Sequence, residues 1–213
     1  MRKFADRQSA GKMLADELGR YRLENPLILA LLRGGVPVAN EISKALSIPL
    51  DIWIVRKIGA PWQPEFAIGA IAEDGYTYLD TETIEGMGIS ESELNAILES
   101  KNLEIKERIF MYRGVLPRPV FEGRDILIID DGVATGATVY AAAGSVRNYN
   151  PKKIILAVPV VSLDALELLS NMVDEQIYLM KPDNFIAVGA WYDDFKQITD
   201  EDVLLMLNRT PEP

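Results

Sequence analysis

The 213-residue chain contains no cysteine and no histidine. Without Cys there are no disulfides, thiolate nucleophiles or Cys-ligated zinc. Without His there is no Ser-His-Asp hydrolysis, no imidazole-ligated metal and no histidine general base. Carboxylate, Lys, Tyr and hydroxyl chemistry remain, together with hard cations such as Mg2+. No apolar run approaches the length of a membrane span. No apolar signal region follows Met1-Arg-Lys3 either, because Asp6, Arg7, Gln8, Lys12 and Asp16 interrupt it, so the cytoplasm is the expected location. Positive charge is scarce: 22 Lys and Arg face 32 Asp and Glu, a net charge of -10. Nucleic acid and anionic membrane would be repelled and are not expected as partners. An anionic ligand must therefore meet locally placed cations. A content of 48% hydrophobic and 25% charged residues is that of an ordinary globular protein. The length fits one domain over residues 1–213, with room for an ample core.

The most informative stretch is Ile126-Leu-Ile-Ile-Asp-Asp-Gly-Val-Ala-Thr-Gly-Ala-Thr-Val139. Four apolar residues end in Asp130 and Asp131, a turn follows, and an Ala-rich run from Tyr140 to Val146 comes next. This reads as buried strand, loop and helix. In an open α/β sheet, such a junction is a ligand crevice whose free N–H groups favour phosphate. Gly132 and Gly136 allow close backbone approach, and Thr135 and Thr138 can donate hydrogen bonds. The paired acids suit sugar hydroxyls or a hydrated Mg2+. No Lys follows the glycines as a P-loop requires, and Gly-x-Gly-x-x-Gly is absent.

Phe4 to Leu18 has near-helical apolar spacing with Asp6 as its cap. Leu27 to Leu32 reads as a doubly buried strand ending in Arg33-Gly34-Gly35, and a helix follows over about Val36 to Leu46. That loop carries a cation and suits a second anionic group. Leu50 to Val55 is the next strand, and Arg56-Lys57, Gly59, Pro61 and Pro64 predict a charged hinge and an irregular loop. Phe66 to Glu73 and Tyr76 to Asp80 alternate around Asp74-Gly75, a hairpin signal. Ser90 and Glu93 form a capping box for a helix whose inner face carries Leu94, Ile97, Leu98, Ile105, Ile109 and Tyr112. Glu104 and Arg108 are spaced for a solvated ion pair on it. Strands at Ile154 to Val161 and Gln176 to Met180 flank a short helix at Leu163 to Leu169, and Thr199 caps a last helix to about Asn208. The alternation predicts a doubly wound parallel α/β sheet. Residues 181–195 mix aromatics with acids, which suits a flat heterocycle or, equally, packing of the C-terminal segment onto the domain.

The strand, two acids and Thr-Gly-x-Thr resemble the signature of the type I phosphoribosyltransferases, which bind phosphoribosyl pyrophosphate (PRPP). The resemblance extends over most of the chain, with a core at about 20–180, a mobile hairpin loop at about 57–80 and a small hood at about 181–213. It implies transfer of phosphoribose to a nitrogen acceptor, a nucleobase or related amine, with loss of pyrophosphate. Mg2+ is the implied cofactor, held by Asp130 and Asp131 through water, and a homodimer the implied assembly. Ribose and 5-phosphate would lie on Asp130, Asp131, Gly132, Val133, Ala134, Thr135, Gly136, Ala137 and Thr138. Leu32-Arg33-Gly34-Gly35 looks like the pyrophosphate loop, where family members often hold a cis peptide. Arg56 and Lys57 look like the lid of the adenine-using enzymes. Arg33 and Lys57 are the expected catalytic cations, stabilising charge on the leaving group. Phe185, with Val188 and Trp191, is the expected base site. The 6-oxopurine enzymes carry an acid where this chain has Ala134, which disfavours hypoxanthine and guanine and leaves adenine, a pyrimidine or another amine open. A PRPP-binding regulatory module and a hydrolase of PRPP or a nucleotide remain as alternatives.

Overall fold

The computed structural model describes residues 3–207. Helix α1 (Arg7–Leu18) starts where Asp6 accepts a hydrogen bond from the Ser9 amide, as the cap reading requires. Phe4 lies outside it, in a parallel bridge with Tyr192. Next come β1 (Leu27–Leu31), α2 (Gly35–Leu46) and β2 (Leu50–Trp53). A second unit follows: β3 (Val55–Ala60), β4 (Gln63–Ala72), β5 (Thr77–Leu79), α3 (Thr81–Gly86) and α4 (Glu91–Arg113). The chain then returns through β6 (Asp125–Ile129), α5 (Ala137–Arg147), β7 (Lys153–Val160), α6 (Leu163–Leu169) and β8 (Glu175–Met180). A 3-10 turn (Val188–Trp191) and α7 (Asp200–Met206) close the described part, and the expected end at Asn208 lies outside it.

The central sheet is parallel, in the order β2-β1-β6-β7-β8. Strands β1 and β6 are buried along their whole length, and their alternate side chains feed two cores. Ile28, Ala30, Leu127 and Ile129 join the core with α1 and α2, whereas Leu27, Leu29, Ile126 and Ile128 join the one with α5 and α6. Helices on both faces explain why these strands read as continuous apolar runs rather than alternating ones. The order also places the carboxyl ends of β1 and β6 side by side, at the point where the chain changes direction across the sheet.

The structure corrects several expectations. The strand read over Leu50 to Val55 breaks after Trp53, where the Ile54 amide donates to the Glu73 carboxylate at 3.0 Å instead of continuing the ladder. Arg56 and Lys57 are not a hinge before an irregular loop. They belong to β3, paired antiparallel with Ile71 and Ala70 of β4 in a separate three-stranded sheet. The Asp74-Gly75 hairpin is present, with Gly75 at φ 91°. Helix α3, capped by Asp80, was not foreseen. The capping box of α4 is present, but Glu104 pairs with Arg56 at 2.7 Å rather than with Arg108. Glu104 also accepts from Lys101 one turn back on its own helix, while Arg108 turns to Asp200 and the Tyr112 hydroxyl. The inner face of α4 anchors this second unit: its last residue, Arg113, is buried against Glu73 at 2.6 Å and the Ile52 carbonyl at 2.9 Å. Among the described residues, no helix is long and apolar enough to cross a membrane.

Candidate active site

The loop after β1 and the loop after β6 meet in a cleft of about 490 Å3 lined by Leu32, Arg33, Gly34, Asp130 and Asp131. The Leu32–Arg33 peptide is cis. The two loops touch so closely that only glycine fits: a Cβ on Gly34 would come 2.0 Å from Asp131 Oδ2, and one on Gly35 2.5 Å from the Ile129 carbonyl oxygen. The remaining walls come from both ends of the chain, with Arg7 from the first helix and Phe195, Gln197 and Ile198 from the C-terminal segment.

The two acids differ in surroundings. Asp131 is buried; its Oδ2 accepts from Arg7 Nε at 2.7 Å, and its backbone carbonyl accepts from the Tyr192 hydroxyl at 2.5 Å. Asp130 is half-buried, and its Oδ1 accepts from the Asp131 amide at 2.8 Å. Burial and the adjacent Asp131 charge push the Asp130 carboxyl well above its ordinary value. Burial raises Asp131 too, with the Arg7 guanidinium opposing it. Arg33 Nη1 donates to Asp200 Oδ1 at 3.2 Å, and the same oxygen accepts from the Tyr112 hydroxyl and faces Arg108 at 3.6 Å. Burial alone would raise Asp200, but the Tyr112 hydrogen bond and the two guanidinium charges bring it below the usual carboxylate range.

The Gly132 to Thr138 loop is tied at its base and open at its tip. Val133 bridges Val161, its amide donating to the Val160 carbonyl at 2.9 Å; Ser162 Oγ donates to the Ala134 carbonyl at 2.5 Å. Gly136, at φ 82°, then caps α5 with no side-chain hydrogen bond. The first amides of a helix have no intrahelical acceptor, so Ala137 and Thr138 begin an uncapped, partially positive terminus. Ala134 and Thr135 are exposed and Thr138 half-buried. Thr135 and Ala137 border a second cleft of about 450 Å3, whose other wall is the antiparallel sheet with Lys57, Phe66 and Tyr78.

The expected site residues are thus brought together in part. Arg33, Gly34, Asp130 and Asp131 share one cleft, with Gly35 packed behind it. Lys57 faces the phosphate-type loop rather than Arg33, with its Nζ donating to the Glu65 carbonyl at 2.9 Å. Arg56 is engaged by Glu104. Of the expected base residues, Trp191 is buried, whereas Phe185, 6.4 Å from its ring, and Val188 are partly buried and pack against it. The packing alternative for these aromatics therefore describes Trp191. Arg7, Ser162, Tyr192, Phe195 and Asp200 were missed. Arg7 left a signal, as a charged residue on the face that α1 buries with Ala10, Leu14 and Leu18, and Tyr192 and Phe195 belong to the aromatic run already noted.

Among the described residues no group of three or more Asp, Glu, Cys or His is placed to hold a metal ion. Two neighbouring carboxylates fit Mg2+ of the kind that keeps its water and takes its other ligands from substrate phosphates.

A family model for the phosphoribosyl transferase domain matches residues 6–181. The chain belongs to this family. Two Mycobacterium tuberculosis proteins, from strains CDC 1551 and H37Rv and each provisionally named a phosphoribosyl transferase, are 39% identical over 209 residues. The match covers 98% of this chain and 47% of theirs, so the chain spans about half the length of these relatives. The crystal structure of TT1426 from Thermus thermophilus superposes with a TM-score of 0.81 at 42% identity, covering 97% of this chain and 98% of that one. Membership supports a transferase.

Proposed function

We propose that the chain binds Mg-PRPP and transfers its phosphoribosyl group to a nitrogen acceptor, releasing pyrophosphate. The observation that carries this reading is the convergence of Arg33, Gly34 and the Asp130–Asp131 pair in one cleft at the loop that leads to the uncapped start of α5. In this reading, Asp130 and Asp131 accept hydrogen bonds from the ribose hydroxyls or from Mg2+-bound water. The amides and hydroxyls from Gly132 to Thr138 hold the 5-phosphate. Arg33 and the Gly34 and Gly35 amides hold the pyrophosphate. The acceptor nitrogen attacks the anomeric carbon, and the electron pair of the breaking C–O bond leaves with pyrophosphate. Prepositioned donors stabilise that developing charge, and Mg2+, when bound, neutralises part of it. The sheet carrying Arg56 and Lys57 serves as a lid, shielding the oxocarbenium-like sugar from water. The acceptor enters where Phe195, Gln197 and Ile198 wall the cleft. A homodimer in the cytoplasm belongs to the same reading.

Calorimetric titration with PRPP, with and without Mg2+, tests it, followed by pyrophosphate release across a panel of nucleobases and amines. Saturable Mg2+-dependent binding with acceptor-dependent release is expected. PRPP breakdown without acceptor would make the chain a hydrolase, and binding without turnover a sensor. Absence of binding would refute the reading.

A further inference from the structure

Arg7 and Arg113 are the buried arginines among the described residues. Burying a guanidinium costs several kcal/mol in lost hydration, and an apolar side chain of similar volume is often no worse for stability. Arg113 does not line the cleft; Glu73, Asp51 and the Ile52 carbonyl surround it. Arg7 is different: the carboxylate it meets is Asp131, one of the two acids of the cleft. Its other contacts come from the opposite end of the chain. Nη1 donates to the Lys196 carbonyl at 2.8 Å, and the guanidinium lies 3.7 Å from the centre of the Phe195 ring, a cation–π distance. The planar fork is thus fixed on two edges and one face, which leaves Asp131 Oδ2 little freedom. That oxygen in turn lies against the Gly34 backbone.

We propose that Arg7 is a positioning residue for the cleft: it holds the Asp131 carboxylate against Gly34 and so fixes the loop after β6 relative to the loop after β1. The inference rests on the phosphoribosyl reading above. Arg7 touches no reacting atom. It acts through Asp131, and the contacts to Phe195 and Lys196 make the geometry of the acids depend on the C-terminal segment being docked.

The test is calorimetric titration of Mg-PRPP, and separately of inorganic phosphate, into the wild-type chain, Arg7→Met, Arg7→Lys, Asp131→Asn and the double variant Arg7→Met/Asp131→Asn. Arg7→Met is expected to weaken Mg-PRPP by about tenfold or more, the scale of one charge-assisted hydrogen bond. Inorganic phosphate, bound at the Thr135 loop, should keep its affinity. Arg7→Lys should recover part of the loss. The double variant should bind no worse than Asp131→Asn alone, because a residue acting through another adds nothing once that partner is changed. A folded Arg7→Met chain within about threefold of wild type, or losses that add in the double variant, would overturn the proposal. If Arg7→Met does not fold, Arg7→Lys decides: an unchanged Mg-PRPP affinity would sink the idea. Failure of the wild-type chain itself to bind Mg-PRPP would strike the functional reading, and this inference with it.

Discussion

Gly35→Ala separates two opposed expectations. Gly35 opens α2, and in a helix Ala is favoured over Gly by up to about 1 kcal/mol. On propensity alone the variant is stabilised. The structure says otherwise, because the new Cβ would lie 2.5 Å from the Ile129 carbonyl oxygen and 2.9 Å from the Asp130 Cα. Ordinary contact begins at 3.4 Å, so the loops must part by about 0.9 Å. Ile129 cannot yield easily, since β6 is paired on both sides, with Ala30 and with Ala157. Overpacking of this kind costs about 1–3 kcal/mol. Its larger effect is on the cleft, where, in the proposed reading, a shift near 1 Å between the loop after β1 and the acids lowers turnover on the order of 100-fold. Equilibrium urea unfolding gives the first quantity, and pyrophosphate release at saturating Mg-PRPP the second. Inorganic phosphate binding at the Thr135 loop should be unchanged and shows that the variant is folded. A Gly35→Ala chain as stable as wild type, with turnover within about threefold, would mean that the tight approach of the two loops is not what sets the site.

Two further outcomes are expected. Lys57→Ala should lower turnover more than Mg-PRPP affinity, because its Nζ is paired with Glu65 on the hairpin and comes to the substrate only with the lid; equal losses in both, measured by calorimetry and pyrophosphate release, would remove the lid role. Burial raises the Glu73 carboxyl above its ordinary 4.5, with the Arg113 charge opposing, so the folded chain binds this proton more tightly than the unfolded chain. The contribution is therefore complete below 4.5 and is lost as pH rises through the raised folded value. The stability of wild type minus that of Glu73→Gln should fall as pH rises above the ordinary 4.5, and a flat or rising difference by denaturant unfolding would contradict the burial argument.

Strands β1, β6 and β7 of the central sheet were legible because they are buried on both faces and carry their signal in short unbroken apolar runs. The two strand-end loops could be read for a related reason, since their glycines and charges stand next to a strand in sequence. The antiparallel sheet was half legible. Its Asp74-Gly75 turn is local chemistry, but the pairing of Arg56 and Lys57 with Ile71 and Ala70 depends on a partner more than a dozen residues away. The long-range anchors were out of reach. Arg7 and Asp131 are 124 positions apart, and Arg33 and Asp200 are 167 apart. No local pattern specifies which of many acids a given Arg will find, so the walls of the cleft from both chain ends emerged only from the fold. Composition could not choose between the two readings of the aromatic run, for a physical reason. A buried ring and a ligand-stacking ring have the same composition, and the difference is whether one face is left open.

The pairing of each cleft cation answers the question posed by a net charge of -10. Arg7 is matched by Asp131 and Arg33 by Asp200 at the first cleft, and Lys57 by Glu65 at the second, so none of these three cations is left uncompensated. These pairs are not equivalent. Arg7 and Asp131 are both buried, and parting them would strand two charges away from water. Lys57 and Glu65 are exposed, with Glu65 fully so, and such a pair is held weakly. Arg33 is intermediate, but its partner has alternatives: if a pyrophosphate drew Arg33 away, Asp200 would keep the Tyr112 hydroxyl and the Arg108 guanidinium. The arrangement divides the cations by what each can give up. Arg7 stays and holds an acid in place, Arg33 can be released without orphaning a buried carboxylate, and Lys57 gives up only an exposed partner.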